Sequence, residues 1–280
     1  MRQDAGSALV ALRSEPDEGT WSLVTAPHLC RVDGRLYGGA ALATALEASE
    51  ALTGRSALWC TTQLVGSAGL GDQIEVTARS VARGSTIDQF IVTASVGSDL
   101  VFQAVGAAGA KRREGMNGEW GSMPRVDPPE ACESLADRIP PSMGTGVGHH
   151  LACEQRLAAS LADGAGAGRL AAWARLTGEF AADGWSTSPA ALAFLGDLVP
   201  LAISEAAGAS GAGASLDNTL RIGQPVACEW VLIDLGAQMA VDGIGHGDLR
   251  IWSPDGTLLA VGSQTARMFT YDDFVSKFNR

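Results

Sequence analysis

Two short passages recur along this chain at nearly one spacing. The run from Ala104 to Lys111, AVGAAGAK, reads like the run from Ala260 to Arg267, AVGSQTAR, and the segment from Leu36 to Ala48 reads like that from Phe194 to Ala206. The offsets are 156 and 158 residues in a chain of 280, which is the mark of two tandem copies of one domain. The copies are chemically unequal. Where the first has Gly39 and Ala108, the second has Asp197 and Gln264, so a carboxylate and an amide stand at matched positions of the second copy alone.

A chain this long buries enough surface for two cores, and the repeat chooses two. The net charge of −11 argues against a nucleic-acid partner, which needs a basic face for phosphate. Five cysteines form no C-x-x-C pair and are odd in number, as expected for reduced, buried thiols rather than a disulfide framework or a zinc site. Neither a structural metal nor a cofactor is expected. No continuous apolar run reaches the roughly 18 residues of a membrane span, and the first 20 residues lack a basic start and apolar stretch, so the expectation is a soluble, cytoplasmic protein with no membrane partner.

Residues 1–18 are polar and aperiodic and read as a mobile or loosely packed arm. The first copy is expected over 19–112, with one helix from Leu36 closed by Thr53 and Gly54, then strands at Leu58–Val65, Gln73–Arg83, Thr86–Val96 and Leu100–Lys111. Residues 113–148, rich in proline and glycine, read as a connection. The second copy, 149–280, is expected to hold strands at His150–Leu157 and Arg169–Gly178 and a helix over Pro189–Ala207. A flexible glycine-rich loop over 206–214 follows, then strands at Ser215–Ile222, Ala227–Gly236, Gly247–Trp252 and Thr257–Met268. One helix followed by an antiparallel meander is an α+β unit in which the sheet wraps the helix.

The run from Asp248 to Arg267 resembles the last strand pair of the type II, TesB-like acyl-CoA thioesterases, and Ala214–Thr219 and Gly38-Gly39 resemble that family's strand and helix-start motifs. The resemblance covers roughly residues 20 to 270. It implies a double hot-dog, two sheets each wrapped around one helix in a single chain, and hydrolysis of acyl-CoA by water. It further implies that an Asp, a Ser or Thr, and a Gln of the second copy hold that water; by motif these are Asp197, Ser215 and Gln264. Strand alternation places Ser215, Asp217 and Thr219 on one face, so a shift of pairing would put Thr219 in the hydroxyl role. The resemblance also implies pairing with another copy of the chain, as a homodimer or larger homo-oligomer.

A thioester needs no protein nucleophile if a water is deprotonated and aimed while the carbonyl oxygen is stabilised. Asp197 can take the proton; a helix start lowers a carboxylate's pKa and burial raises it, and the sequence leaves open which wins. Amides at Gly38, Gly39 and Ala40 can receive the carbonyl oxygen. Each residue has a plainer role: Asp197 as a helix N-cap, Gln264 as a buried backbone partner, Gly38-Gly39 as room for close packing. For coenzyme A phosphates the candidates are Arg31, Arg35, Lys111, Arg112, Arg113, Arg250 and Arg267. Hydratase chemistry is discounted because no histidine is near Asp197 in sequence. The rival reading is a non-catalytic acyl-CoA-binding or assembly protein on the same fold.

Overall fold

The computed structural model describes residues 9–110, 115–138, 146–161, 168–181, 185–208, 211–224 and 226–270. The strands are β1 (Arg13–Ser14), β2 (Thr20–Val24), β3 (Ala57–Leu64), β4 (Gln73–Arg83), β5 (Ile87–Val96), β6 (Asp99–Gly109), β7 (Glu133–Ser134), β8 (Cys153–Leu161), β9 (Arg169–Leu176), β10 (Gly211–Ile222), β11 (Val231–Val241), β12 (Ile244–Trp252) and β13 (Leu258–Thr270). The helices are α1 (Gly38–Thr53), α2 (Pro189–Leu195) and α3 (Val199–Ala206). All strands join one antiparallel sheet in the order β1-β2-β4-β5-β6-β3-β10-β13-β12-β11-β9-β8-β7. Its left and right halves each curl around their own helix, α1 or α3, and the two meet at the β3–β10 pair. This is a double hot-dog.

Strand register shows the repeat residue by residue. In β3–β10, Thr61 lies opposite Thr219, and their hydroxyls are 3.0 Å apart. These residues are 158 apart in sequence, so each copy meets its own counterpart there, at a pseudo-two-fold axis. Cys60 pairs with Gly106 as Asn218 pairs with Gln264, and both ladders slip by one residue, at Leu58 and at Leu216. The offset is 158 between β3 and β10 and between β6 and β13. Gln264 therefore corresponds to Gly106 and not, as the passages alone suggest, to Ala108. The likeness of the two Ala-Gly runs follows composition, whereas hydrogen-bond register fixes position.

α1 is alanine-rich, and eleven of its sixteen residues are buried, because small side chains let it lie close to the sheet and to α2. It ends at Gly54, whose φ of 65° is left-handed, the usual helix stop. The single helix expected over Pro189–Ala207 is two helices. Pro200 has no N–H to continue the ladder, and the Leu201 amide reaches only Leu198, so the chain turns at Gly196-Asp197-Leu198. The Pro189–Ala206 stretch is long and apolar enough on average to cross a membrane by length and composition, although Asp197 and Glu205 interrupt it, and 72% of it is buried inside the protein.

Other expectations also need correction. Residues 9–14 are no mobile or loosely packed arm: Leu9, Val10 and Leu12 are fully buried in the main core and β1 pairs with β2; residues 1–8 lie outside the described residues. Within 113–148, Met123 and Val126 cover Trp173, Leu232 and Trp252 on the outer face of the second half, and Asp127 accepts from the Trp173 indole at 2.8 Å. His149 and His150 sit in a 3-10 turn, so β8 starts at Cys153. β10 begins at Gly211, inside the expected loop.

Candidate active site

Asp197 stands at the turn between α2 and α3, 6% exposed, beside the axis. Its counterpart, Gly39, touches it: the Gly39 amide donates to Asp197 Oδ2 at 2.6 Å. Since Tyr37, the N-cap of α1, makes no side-chain cap bond, the carboxylate of the second copy caps the helix of the first. It does not cap its own helix, whose N-cap is Leu198. The opposite oxygen, Oδ1, accepts from Gln264 Nε2 and from Asn218 Nδ2 at 3.3 Å. Gln264 Nε2 also donates to Ser215 Oγ at 2.6 Å. Asp197, Ser215 and Gln264 are thus brought together from a helix turn and two paired strands.

The bulge at Leu216 makes this possible. An unbroken strand would put Ser215 and Asn218 on opposite faces; the extra residue turns both toward Asp197 and sends Leu216 outward, 41% exposed. Asp217 faces away and accepts the Thr265 amide at 2.6 Å. Thr219, paired with Thr61, is not brought to Asp197. Asn218, which sequence reasoning gave no role, joins the site; its register partner Gln264 was the available signal. Gly247 lies opposite Gln264 in β12, where a Cβ would come within 2.7 Å of Val199 of α3, whereas Phe90 lies opposite Gly106 in the first copy. There a Cβ on Gly106 would come within 2.4 Å of the Phe90 ring. The counterpart positions Gly39, Ala57, Cys60 and Gly106 hold no carboxylate, hydroxyl or amide side chain.

Burial decides the Asp197 pKa. Loss of water raises it to about 6, against the opposing pull of the Gly39 amide, the Gln264 amide, the Arg31 charge and Ser215. A carboxylate poised there is a competent base near neutral pH. Gln264 Oε1 is buried and has no hydrogen-bond partner. A pocket of about 250 Å³ adjoins Asp197 and Ser215, with Gly38, Leu64, Leu201, Arg31 and Arg35 among its walls.

The thiols are poor nucleophiles. Burial pushes Cys60 and Cys153 up to about 12 and Cys30 and Cys228 to about 11. Among the described residues, no group of three or more His, Cys, Asp or Glu side chains is arranged to hold a metal. Of the expected basic residues, Arg31 and Arg35 reach the pocket, Arg250 sits by Asp234, Arg267 lies over Phe269, and 111–113 are outside the described residues.

Residues 129–268, half of the sequence, match the acyl-CoA thioesterase C-terminal domain. The chain belongs to the acyl-CoA thioesterase family. Its class of reaction is thioester hydrolysis. Among solved structures, a candidate thioesterase from Novosphingobium aromaticivorans is 28% identical with a TM-score of 0.77, over 92% of this chain and 98% of that one. A hot-dog protein of unknown function from Alicyclobacillus acidocaldarius is 20% identical at 0.78, over 95% and 97%. The acyl-CoA thioesterase II of Mycobacterium marinum is 15% identical at 0.72, over 95% and 98%. The last two likenesses are of fold. No curated protein matches.

The helix start that this thioesterase-family chain presents to Asp197 is packed without slack. A Cβ on Gly39 would lie 2.7 Å from the Tyr37 ring, 2.8 Å from the Phe194 carbonyl oxygen and 3.0 Å from Asp197 Cβ. Gly39→Ala is expected to destabilise the fold by about 1–3 kcal/mol, the usual penalty of overpacking, read as a lower urea midpoint at unchanged m-value.

Proposed function

We propose that the chain hydrolyses acyl-CoA to a free fatty acid and coenzyme A with a water held by Asp197, Ser215 and Gln264. The observation that carries this reading is Gln264. Its amide nitrogen ties Asp197 to Ser215, and its buried oxygen is left to accept from a third group. A water there gives one hydrogen to Gln264 Oε1 and the other to the Asp197 carboxylate, which leaves an oxygen lone pair to aim at the thioester carbon. Ser215 Oγ, already accepting from Gln264, keeps its own O–H to donate.

As the water oxygen bonds to the carbonyl carbon, Asp197 takes its proton. The tetrahedral intermediate then collapses, the C–S bond breaks, and the proton passes from Asp197 to the departing thiolate. The α1 amino end supports the negative oxygen. The Gly39 amide is engaged with Asp197, so the Gly38 amide is the one assigned to that oxygen. Arg31 and Arg35 supply local positive charge for coenzyme A phosphates on an otherwise acidic protein.

The test is release of coenzyme A thiol from a panel of acyl-CoAs across pH. Expected is turnover whose kcat/KM rises with pH and levels off, with an inflection near 6, since only ionised Asp197 accepts the proton. A wild type inert toward every chain length, yet binding acyl-CoA, overturns the catalytic reading in favour of a binding protein.

A further inference from the structure

Tyr37 makes a contact that neither the repeat nor the water-holding role explains. It is 5% exposed, and its hydroxyl donates to the backbone carbonyl of Asp197 at 3.0 Å. That carbonyl has been released by its own helix. In a continuous helix it would accept from the Leu201 amide, but that amide goes to Leu198 at 3.0 Å. A buried carbonyl without a donor is unfavourable, and the first copy reaches across the axis to supply one. The counterpart of Tyr37 is Leu195, which has no hydrogen bond to offer, so the contact exists on the side of the molecule that carries the carboxylate.

The ring is held as firmly as the hydroxyl. His149 stacks on it with centroids 4.5 Å apart and planes 13° from parallel, and Phe194 meets it edge-on at 5.4 Å. Burial keeps His149 neutral, its pKa lowered to about 4, and holds the Tyr37 phenol protonated well above its ordinary range, so the ring remains a donor at working pH. Asp197 is therefore fixed at two points. The Gly39 amide grips its side chain, and Tyr37 grips its main chain.

We infer that Tyr37 is a positioning residue, which sets the aim of the Asp197 carboxylate by holding the turn between α2 and α3 through its backbone carbonyl. The inference rests on the proposed role of Asp197 as base. Tyr37 does not itself take or give the proton of the reaction. A misplaced base lowers the chemical step far more than it weakens binding, so the mark of this role is a fall in kcat at steady KM.

The experiment is a cycle of wild type, Tyr37→Phe, Asp197→Asn and the double variant, assayed for coenzyme A release. Tyr37→Phe keeps both ring contacts and removes the O–H. Expected is a fall in kcat of about tenfold, with KM within twofold, and no further loss when Tyr37→Phe is added to Asp197→Asn. A Tyr37→Phe enzyme with kcat within twofold of wild type overturns the inference, as does an equal fractional loss in both backgrounds, which reports lost folded protein. Tyr37→Met, an adaptable apolar filler, gives a second route should the Phe variant not fold, with the same expected and overturning results. An inert wild type, or full activity in Asp197→Asn, overturns the base assignment and this inference together; a Tyr37→Phe enzyme with kcat within twofold of wild type beside an inactive Asp197→Asn overturns this inference alone.

Discussion

Asp197→Asn is expected to lower kcat for acyl-CoA hydrolysis by about a thousandfold, within the range that a positioned general base contributes, or about 4 kcal/mol of transition-state stabilisation. The side chain keeps its size, but its NH2 replaces one of the two oxygens that accept from Gly39, Gln264 and Asn218, so the base is lost together with part of that hydrogen bonding. Stability moves the other way with pH. The folded carboxylate, with a pKa raised from 3.8 to about 6, binds its proton more tightly than the unfolded one, so the stabilisation from that proton is full below about 4 and disappears as pH rises through 6. Asn at this position does not ionise. Urea melts of both proteins from pH 3 to 8 are therefore expected to diverge in favour of the variant by about 3 kcal/mol and then run parallel. Melts that keep a constant separation would show that Asp197 titrates normally.

Gln264→Ala is expected to lower kcat by about a hundredfold, near 2.7 kcal/mol. It also removes the donor that favours the ionised Asp197, so the acid limb of the rate profile should move above 6. The two effects separate on a pH titration: restoring ionisation at high pH recovers the second and leaves the first. A variant whose limb stays in place while its rate falls would mean that Gln264 acts on the water without tuning the base.

How these residues found each other was only partly legible in the chain. The duplicated helix start made Asp197 conspicuous because Gly39 holds its place in the other copy, and the resemblance at Ser215 and Gln264 pointed to residues the structure does bring together. Two kinds of information were hidden. Register was one: in β6 and β13 the Ala-Gly runs align two residues away from their true pairing, so Gln264 was matched with Ala108 instead of Gly106. Face was the other: simple alternation set Thr219 beside Ser215, and a single extra residue at Leu216 reverses that, bringing in Asn218. The signal at Pro200 lay in plain view, since proline inside a helical pattern ends the hydrogen-bond ladder, yet the apolar periodicity on both sides masked the break. Tyr37 could not be read at all, because its partner is a main-chain carbonyl 160 residues away.

The meeting of Gly39 with Asp197 across the axis also explains why the two halves share one chain. In an assembly of two identical subunits built on this axis, whatever occupied one position would occupy the other. An aspartate at both would bring two Cβ atoms within 3.0 Å and set two buried carboxylates against each other; a glycine at both would leave no base. Only unequal halves can hold this arrangement, and a peptide link between them guarantees that every molecule assembles one of each.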